Sequence, residues 1–149
     1  MLPMEEQIVN LINAALLPAA AGGVILRYKQ EIPEIVVCKR SRGKVIELPK
    51  GGIEQGEGLQ VAAIRETREE TGLKVIITGE IGMLPGTNTH WFMMRMRGGA
   101  FKDHDKEYDT VVWMPIAEAA ARLTDPDQQR ILRSLELRRL KSIWKQESS

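Results

Sequence analysis

Residues 65–70 read Arg-Glu-Thr-Arg-Glu-Glu, three carboxylates within six positions. In a helix, at about 100° per residue, Glu66, Glu69 and Glu70 fall within an arc of roughly 100°, so all three can point at one place. Carboxylates at that spacing repel by roughly a few tenths of a kcal/mol per pair and require a neutralising partner. Oxygen-only ligands of high charge suit a hard divalent cation, Mg²⁺ or Mn²⁺, which keeps positions open for water and phosphate. Arg65 stands four residues before Glu69 and can fix that carboxylate in one rotamer. Upstream, the Gly51-Gly52 turn lets backbone approach a metal or phosphate with no Cβ in the way, and Glu57 can add a ligand through water.

Further candidates flank this group. Lys39, Arg40, Arg42, Lys44 and Lys50 form a basic stretch suited to clamping a phosphate chain, and a solvated turn explains most of them equally well. Trp91, Phe92 and Tyr108 offer faces on which a base can stack, although aromatics at strand spacing commonly face a core. His90 and His104 are potential bases or merely solvated loop histidines.

These residues need elements to hold them. Ile8, Leu11, Ile12 and Ala15 recur at helical spacing over residues 4–17, and Pro18 ends that helix. Strands are expected over Val24–Tyr28, Glu34–Lys39, Val45–Leu48, Lys74–Ile77, Trp91–Met96 and Thr110–Met114, with turns at Gln30–Pro33, Ser41–Lys44 and Pro49–Gly52. Leu59–Thr71 reads as the central helix, stopped by Gly72. Pro115 opens an alanine-rich helix to about Leu123. Pro126 opens a longer one to about residue 145, with Ile131, Leu132, Leu135, Leu140, Ile143 and Trp144 on its apolar face. Mixed strands around a central helix, with helices at both ends, indicate an α+β fold, an α/β/α sandwich in a single domain over residues 1–149.

Composition bounds the function. The chain has 149 residues and balances 21 Lys+Arg against 20 Asp+Glu, unlike the strongly basic footprint of a duplex nucleic-acid binder. The charges separate locally: residues 27–50 hold seven basic side chains against three Glu, and residues 51–73 hold five Glu against two Arg. An acidic patch beside basic stretches suits a small polyanion bridged through metal. Cys38 is the only cysteine, so neither an internal disulfide nor a cysteine zinc site is available. The apolar run Ala14–Leu26 imitates a targeting signal, but Glu5 and Glu6 precede it, Pro18 interrupts it, and it is too short to span a membrane. A cytoplasmic protein without membrane attachment is expected.

The stretch Gly51–Leu73 resembles the Nudix box: Gly, five residues, Glu, seven residues, Arg-Glu, an aliphatic, any residue, Glu-Glu, any residue, Gly and an aliphatic. Gly51, Glu57, Arg65, Glu66, Glu69, Glu70, Gly72 and Leu73 fall in register, a coincidence on the order of one in ten million by chance. Thr67 departs from the aliphatic position; its methyl can face the core while its hydroxyl bonds a carbonyl one turn back. Likeness extends from about residue 20 to 135, through Ala20–Leu26, Leu48–Gly52 and Val111–Pro115. The resemblance implies metal-dependent hydrolysis of a diphosphate linkage, with Glu69 and Glu70 as principal ligands and the Gly51 carbonyl and Glu57 in support. Glu66 is then an additional ligand or the base, and Arg65 orients the glutamates. Family members also recruit a glutamate from the loop before the Trp113 strand, where Glu107 stands among Asp103, Asp105 and Asp109. Arg40, Arg42, Lys50, Gly52 and Tyr108 are the expected substrate contacts.

The substrate implied is a small phosphorylated nucleotide with a long phosphate chain, dinucleoside polyphosphates being favoured. The Leu48–Glu57 run and His90–Arg95 look like bacterial Nudix hydrolases of dinucleoside polyphosphates, and to a lesser degree like those of diphosphoinositol polyphosphates. Thr89 and His90 stand where the first group often carries a tyrosine, and Pro85 lies several residues before the proline marking ADP-ribose hydrolases. A nucleoside triphosphate pyrophosphohydrolase is the second enzymatic reading, and a regulatory nucleotide-binding domain without turnover the third. The N-terminal helix either caps the sheet or pairs two subunits in a homodimer.

Overall fold

The computed structural model describes residues 2–148. The chain runs α1 (Met4–Leu16), β1 (Ala20–Lys29), β2 (Ile32–Arg40), β3 (Val45–Glu47), β4 (Lys50–Gly52), α2 (Leu59–Thr71), β5 (Leu73–Gly82), β6 (Thr89–Gly99), a 3-10 turn (Phe101–Asp103), β7 (Thr110–Pro115), α3 (Ile116–Arg122) and α4 (Pro126–Ser148). The side chains of Ile12, Ala15, Leu140, Ile143 and Trp144, expected on apolar stripes, lie outside the described residues. Ile8 and Leu11, on the same predicted stripe of α1, are exposed.

The strands form a mixed sheet ordered β3-β2-β1-β6-β5, with β4 pairing β1 and β7 pairing β2. β1 is parallel to β6 and antiparallel to β2 and β4. Alternation along the strands sends neighbours to opposite faces. Ile25, Val36, Cys38, Phe92 and Met94 pack with Ala62 and Ala63 of α2, whereas Val24, Ile35, Val37 and Trp91 pack beneath α3 and α4. Each fully buried large apolar side chain contributes about 1.5–3 kcal/mol. The result is the expected sandwich, with helices on both faces of the sheet.

Local expectations needed correction in four places. β4 is a strand rather than a bare glycine turn, with Ala21 opposite Gly51 and Gly22 opposite Lys50; two glycines in three residues carry no strand signal, and β1 imposes the pairing. β5 runs past Ile77 to Gly82 because bulges at Lys74/Val75, Ile77/Gly79 and Glu80/Gly82 break the period-two pattern. The first turn narrows to Gln30 and Glu31, both at positive φ, and Pro33 lies within β2. Thr67 is buried as expected, but its hydroxyl meets Met94 Sδ at 3.6 Å, while Thr71 Oγ1 donates to the Thr67 carbonyl at 2.6 Å.

The C-terminus of α2 is fixed by Gly72, at φ +75 with its N–H donating to the Arg68 carbonyl. A Cβ there would lie 2.1 Å from the Ala100 carbonyl oxygen, so only glycine lets the loop after β6 close over the helix end. That closure positions the acidic loop beside α2.

Candidate active site

The α2 carboxylates divide between two environments. Glu70 lies on the buried side of the helix, 3% exposed, and its Oε2 accepts the Lys50 N–H at 2.9 Å. Burial pushes its carboxyl up to about 8, helped by the like charges of Glu107, Glu66 and Asp105 and opposed by the Lys50 N–H. Glu66 presses on β4: a Cβ at Gly51 would fall 2.0 Å from its carboxyl carbon. Glu69 stands at the wet edge with its side chain 49% exposed.

Arg65 braces this group. Its Nε donates to Glu57 Oε2 at 2.7 Å and Nη2 to Glu57 Oε1 at 2.8 Å, a fork on a fork. Nη2 also reaches the Gly52 carbonyl at 2.9 Å, and Nη1 reaches Glu66 Oε1 at 2.9 Å and Glu69 Oε2 at 3.3 Å. The expected Arg65–Glu69 pair is thus present but looser than the grip on Glu57. The Arg65 bond, with the Glu54 N–H, holds the Glu57 carboxyl down at about 2.

The loop before β7 completes the rim. Asp105 N–H donates to the Glu69 carbonyl at 2.7 Å, fastening the loop to α2. Glu107 is exposed, and its carboxyl is raised by partial burial and then by Asp105 and Glu47, with Arg40 opposing. Tyr108 overturns an expectation. It lies in the core at 3% exposed, its hydroxyl donating to Glu47 Oε2 at 2.6 Å, and offers no face to a base. Trp91 and Phe92 are likewise buried.

The remaining sequence candidates separate. Arg40 adjoins Glu107, and its Nε donates to the carbonyl of Arg42 in the exposed β2–β3 turn. Lys50 stands in β4 beside Glu70, and the Gly52 carbonyl is engaged by Arg65. His90 pairs with Glu80 at 2.7 Å and packs on Phe92, and His104 bonds the Asp105 carbonyl through Nδ1.

A cavity of about 750 Å³ is lined by Lys50, the loop Met83–Thr89, Trp91 and the start of α4. Gln128 belongs to that wall and is 1% exposed. Its Oε1 accepts the Leu48 N–H at 2.8 Å, and among the described residues its Nε2 has no hydrogen-bond partner. An unmatched buried donor costs about 1–3 kcal/mol. Sequence reasoning missed Gln128, because its partner lies 80 residues away and a single glutamine at a helix start carries no pattern.

The NUDIX domain model matches residues 16–135. The chain belongs to the Nudix family. An 8-oxo-(d)GTP phosphatase of Mycolicibacterium smegmatis is 35% identical over 76% of this chain and 40% of its own length. A Mycobacterium tuberculosis protein bearing the name of mutator protein MutT4 is 36% identical over 75% of this chain and 52% of its own. The chain therefore spans about half or less of these relatives. Among solved structures, an Ap4A hydrolase from C. elegans superposes with TM-score 0.63 at 20% identity, covering 79% of this chain and 94% of that one, a likeness of fold.

The Nudix box here has the donor chemistry for a hard divalent cation. Among the described residues no three His, Cys, Asp or Glu side chains are gathered into a ready cage. Yet the Glu70 carboxylate is destabilised by burial and by the charges of Glu107, Glu66 and Asp105, and the missing Cβ of Gly51 lets the Glu66 carboxyl lie directly against the β4 backbone. Oxygen ligands, excess negative charge and a backbone cradle are what Mg²⁺ or Mn²⁺ requires. Were a cation to bind here, Glu66, Glu69, Glu70 and the Gly51 carbonyl would be the donors, because Glu57 is held in the Arg65 fork.

Proposed function

We propose that this chain is a Mg²⁺- or Mn²⁺-dependent diphosphohydrolase of nucleotides. The observation that carries the reading is the Glu66–Glu70 pair pressed on Lys50–Gly51 with Arg65 bracing its partners. A bound cation neutralises phosphate oxygens and acidifies water. The protein's own part is positional. Arg65 fixes Glu57, Glu66 and Glu69 in one arrangement, and the Lys50 N–H fixes Glu70. Glu66 Oε1 already accepts from a guanidinium, so Glu107 is the carboxylate to take the proton of the attacking water. Water oxygen bonds to phosphorus as the bridging P–O bond breaks, and the leaving phosphate departs with the bond's electron pair.

A nucleoside triphosphate is the substrate class we favour. The 8-oxo-(d)GTP phosphatase relative supports it, while the dinucleoside polyphosphate reading leaned on the Leu48–Glu57 run and on His90–Arg95, and in the second of these Trp91, Phe92 and Met94 are core side chains. A substrate panel in ¹⁸O-labelled water tests both. Monophosphate plus pyrophosphate from a triphosphate is expected, whereas ATP or ADP from a symmetric dinucleotide would favour the second reading. No cation-dependent cleavage of any nucleotide would overturn both.

A further inference from the structure

Tyr108 is a core side chain whose packing a phenylalanine would serve as well. It is 3% exposed and belongs to the cluster of Val36, Cys38 and Val111, yet its hydroxyl donates to Glu47 Oε2 at 2.6 Å. That length marks a strong hydrogen bond. The hydroxyl contributes nothing to the apolar contacts around the ring. What it adds is a tie between the loop before β7 and strand β3.

The tie falls immediately after Glu107. On the other side, the Glu107 N–H donates to Asp105 Oδ1 at 3.1 Å, and the Asp105 N–H donates to the Glu69 carbonyl at 2.7 Å. One residue beyond Tyr108, the Asp109 N–H donates to the Lys39 carbonyl at 2.9 Å, and Asp109 Oδ2 accepts the Ser41 N–H at 2.6 Å. Asp105, Tyr108 and Asp109 are thus fastened to α2, to β3 and to the end of β2. Glu107 stands between these fastenings with its side chain exposed, and Glu47 lies near enough for its charge to bear on it. A general base acts only within hydrogen-bond reach of its water, and a displacement of about 1 Å can cost as much as a hundredfold in rate. The anchoring of this loop is therefore part of what the loop can do.

We propose that Tyr108 and Glu47 are positioning residues for Glu107, their hydrogen bond holding the backbone so that the Glu107 carboxyl faces the attacking water. Neither touches the substrate. The inference rests on the hydrolase reading above and assigns two residues that the reading leaves without a role.

Tyr108→Phe removes the hydroxyl, keeps the ring and provides the test. At saturating cation it is expected to lower kcat about tenfold with KM unchanged. Glu47→Gln, which keeps an acceptor for the hydroxyl, is expected to lose less than Glu47→Ala. The deciding measurement places Tyr108→Phe in a Glu107→Gln background, where no further loss is expected because the positioned group is gone. Relaxation of ¹⁵N-labelled protein reads the same effect without substrate: the Glu107 amide is expected to be rigid in the wild type and mobile in Tyr108→Phe, with the α2 amides unchanged. A wild-type kcat in Tyr108→Phe, an equal loss in both backgrounds, or an unmoved Glu107 amide would overturn the assignment. Absence of nucleotide hydrolysis beside a loosened Glu107 amide would sink the hydrolase reading while supporting the tie, and hydrolysis that Tyr108→Phe leaves untouched would sink this inference alone.

Discussion

Arg65 grips Glu57 through two parallel contacts of 2.7 and 2.8 Å, closer than its contact with Glu69 one helical turn on. The box arginine is therefore a clasp between the loop before α2 and the helix itself, with the Gly52 carbonyl as a third anchor. Lysine offers a point charge that cannot reproduce the fork. Arg65→Lys is expected to lower kcat by about 10- to 100-fold, the usual cost of losing a partner that orients ligands. Steady-state rates at saturating Mg²⁺ check this, and an unchanged kcat would show that the clasp is dispensable.

Glu66 and Glu69 differ in burial but are expected to share a role. Glu66→Gln and Glu69→Gln should each lower turnover by at least about a hundredfold if both hold the cation. The fold should persist, because Glu69 is half exposed and glutamine fills the same space beside Gly51. Circular dichroism alongside the rates separates the two effects; a wild-type rate in either variant would remove that residue from the site.

The box was legible because its signal is local: Arg65, Glu66, Glu69 and Glu70 lie within two turns of one helix, and helical geometry alone converges them. The sandwich was legible from alternating strands such as Ile35–Cys38, whose side chains divide between both cores. What failed depended on distant partners. Lys50–Gly52 becomes a strand only through β1, and Tyr108 is drawn into the core by Glu47, 61 residues earlier. Its exposed neighbours gave no sign of that. Gln128 is the extreme case, meaningful only once the Leu48 N–H fixes its amide.

The loop that carries Glu107 is fastened to α2 through the Asp105 N–H, and of the like charges around Glu70 that of Glu107 weighs most. Burial and Asp105 raise its carboxyl above the usual 4.5, so an acid limb in the pH–rate profile is expected above the ordinary carboxylate range. Glu107→Gln should lower kcat about a hundredfold, with little change in KM, and abolish that limb. A retained limb would assign the proton to another carboxylate.

Glu70 gives the cation-free protein a characteristic pH dependence. Its carboxyl is raised from 4.5 to about 8 by burial, so the fold binds more protons than the unfolded chain between those values. The stability this protonation confers is full below pH 4.5 and is lost as pH rises toward about 8. Glu70→Gln keeps an acceptor for the Lys50 N–H and removes the buried charge. In chelator at pH 8, thermal unfolding should therefore show Tm raised by roughly 5 °C over wild type, with the fall between pH 5 and 8 flattened. Mg²⁺ should raise the wild-type Tm and leave the variant nearly unmoved. A variant less stable than wild type in chelator would mean that Glu70 is already compensated without a cation.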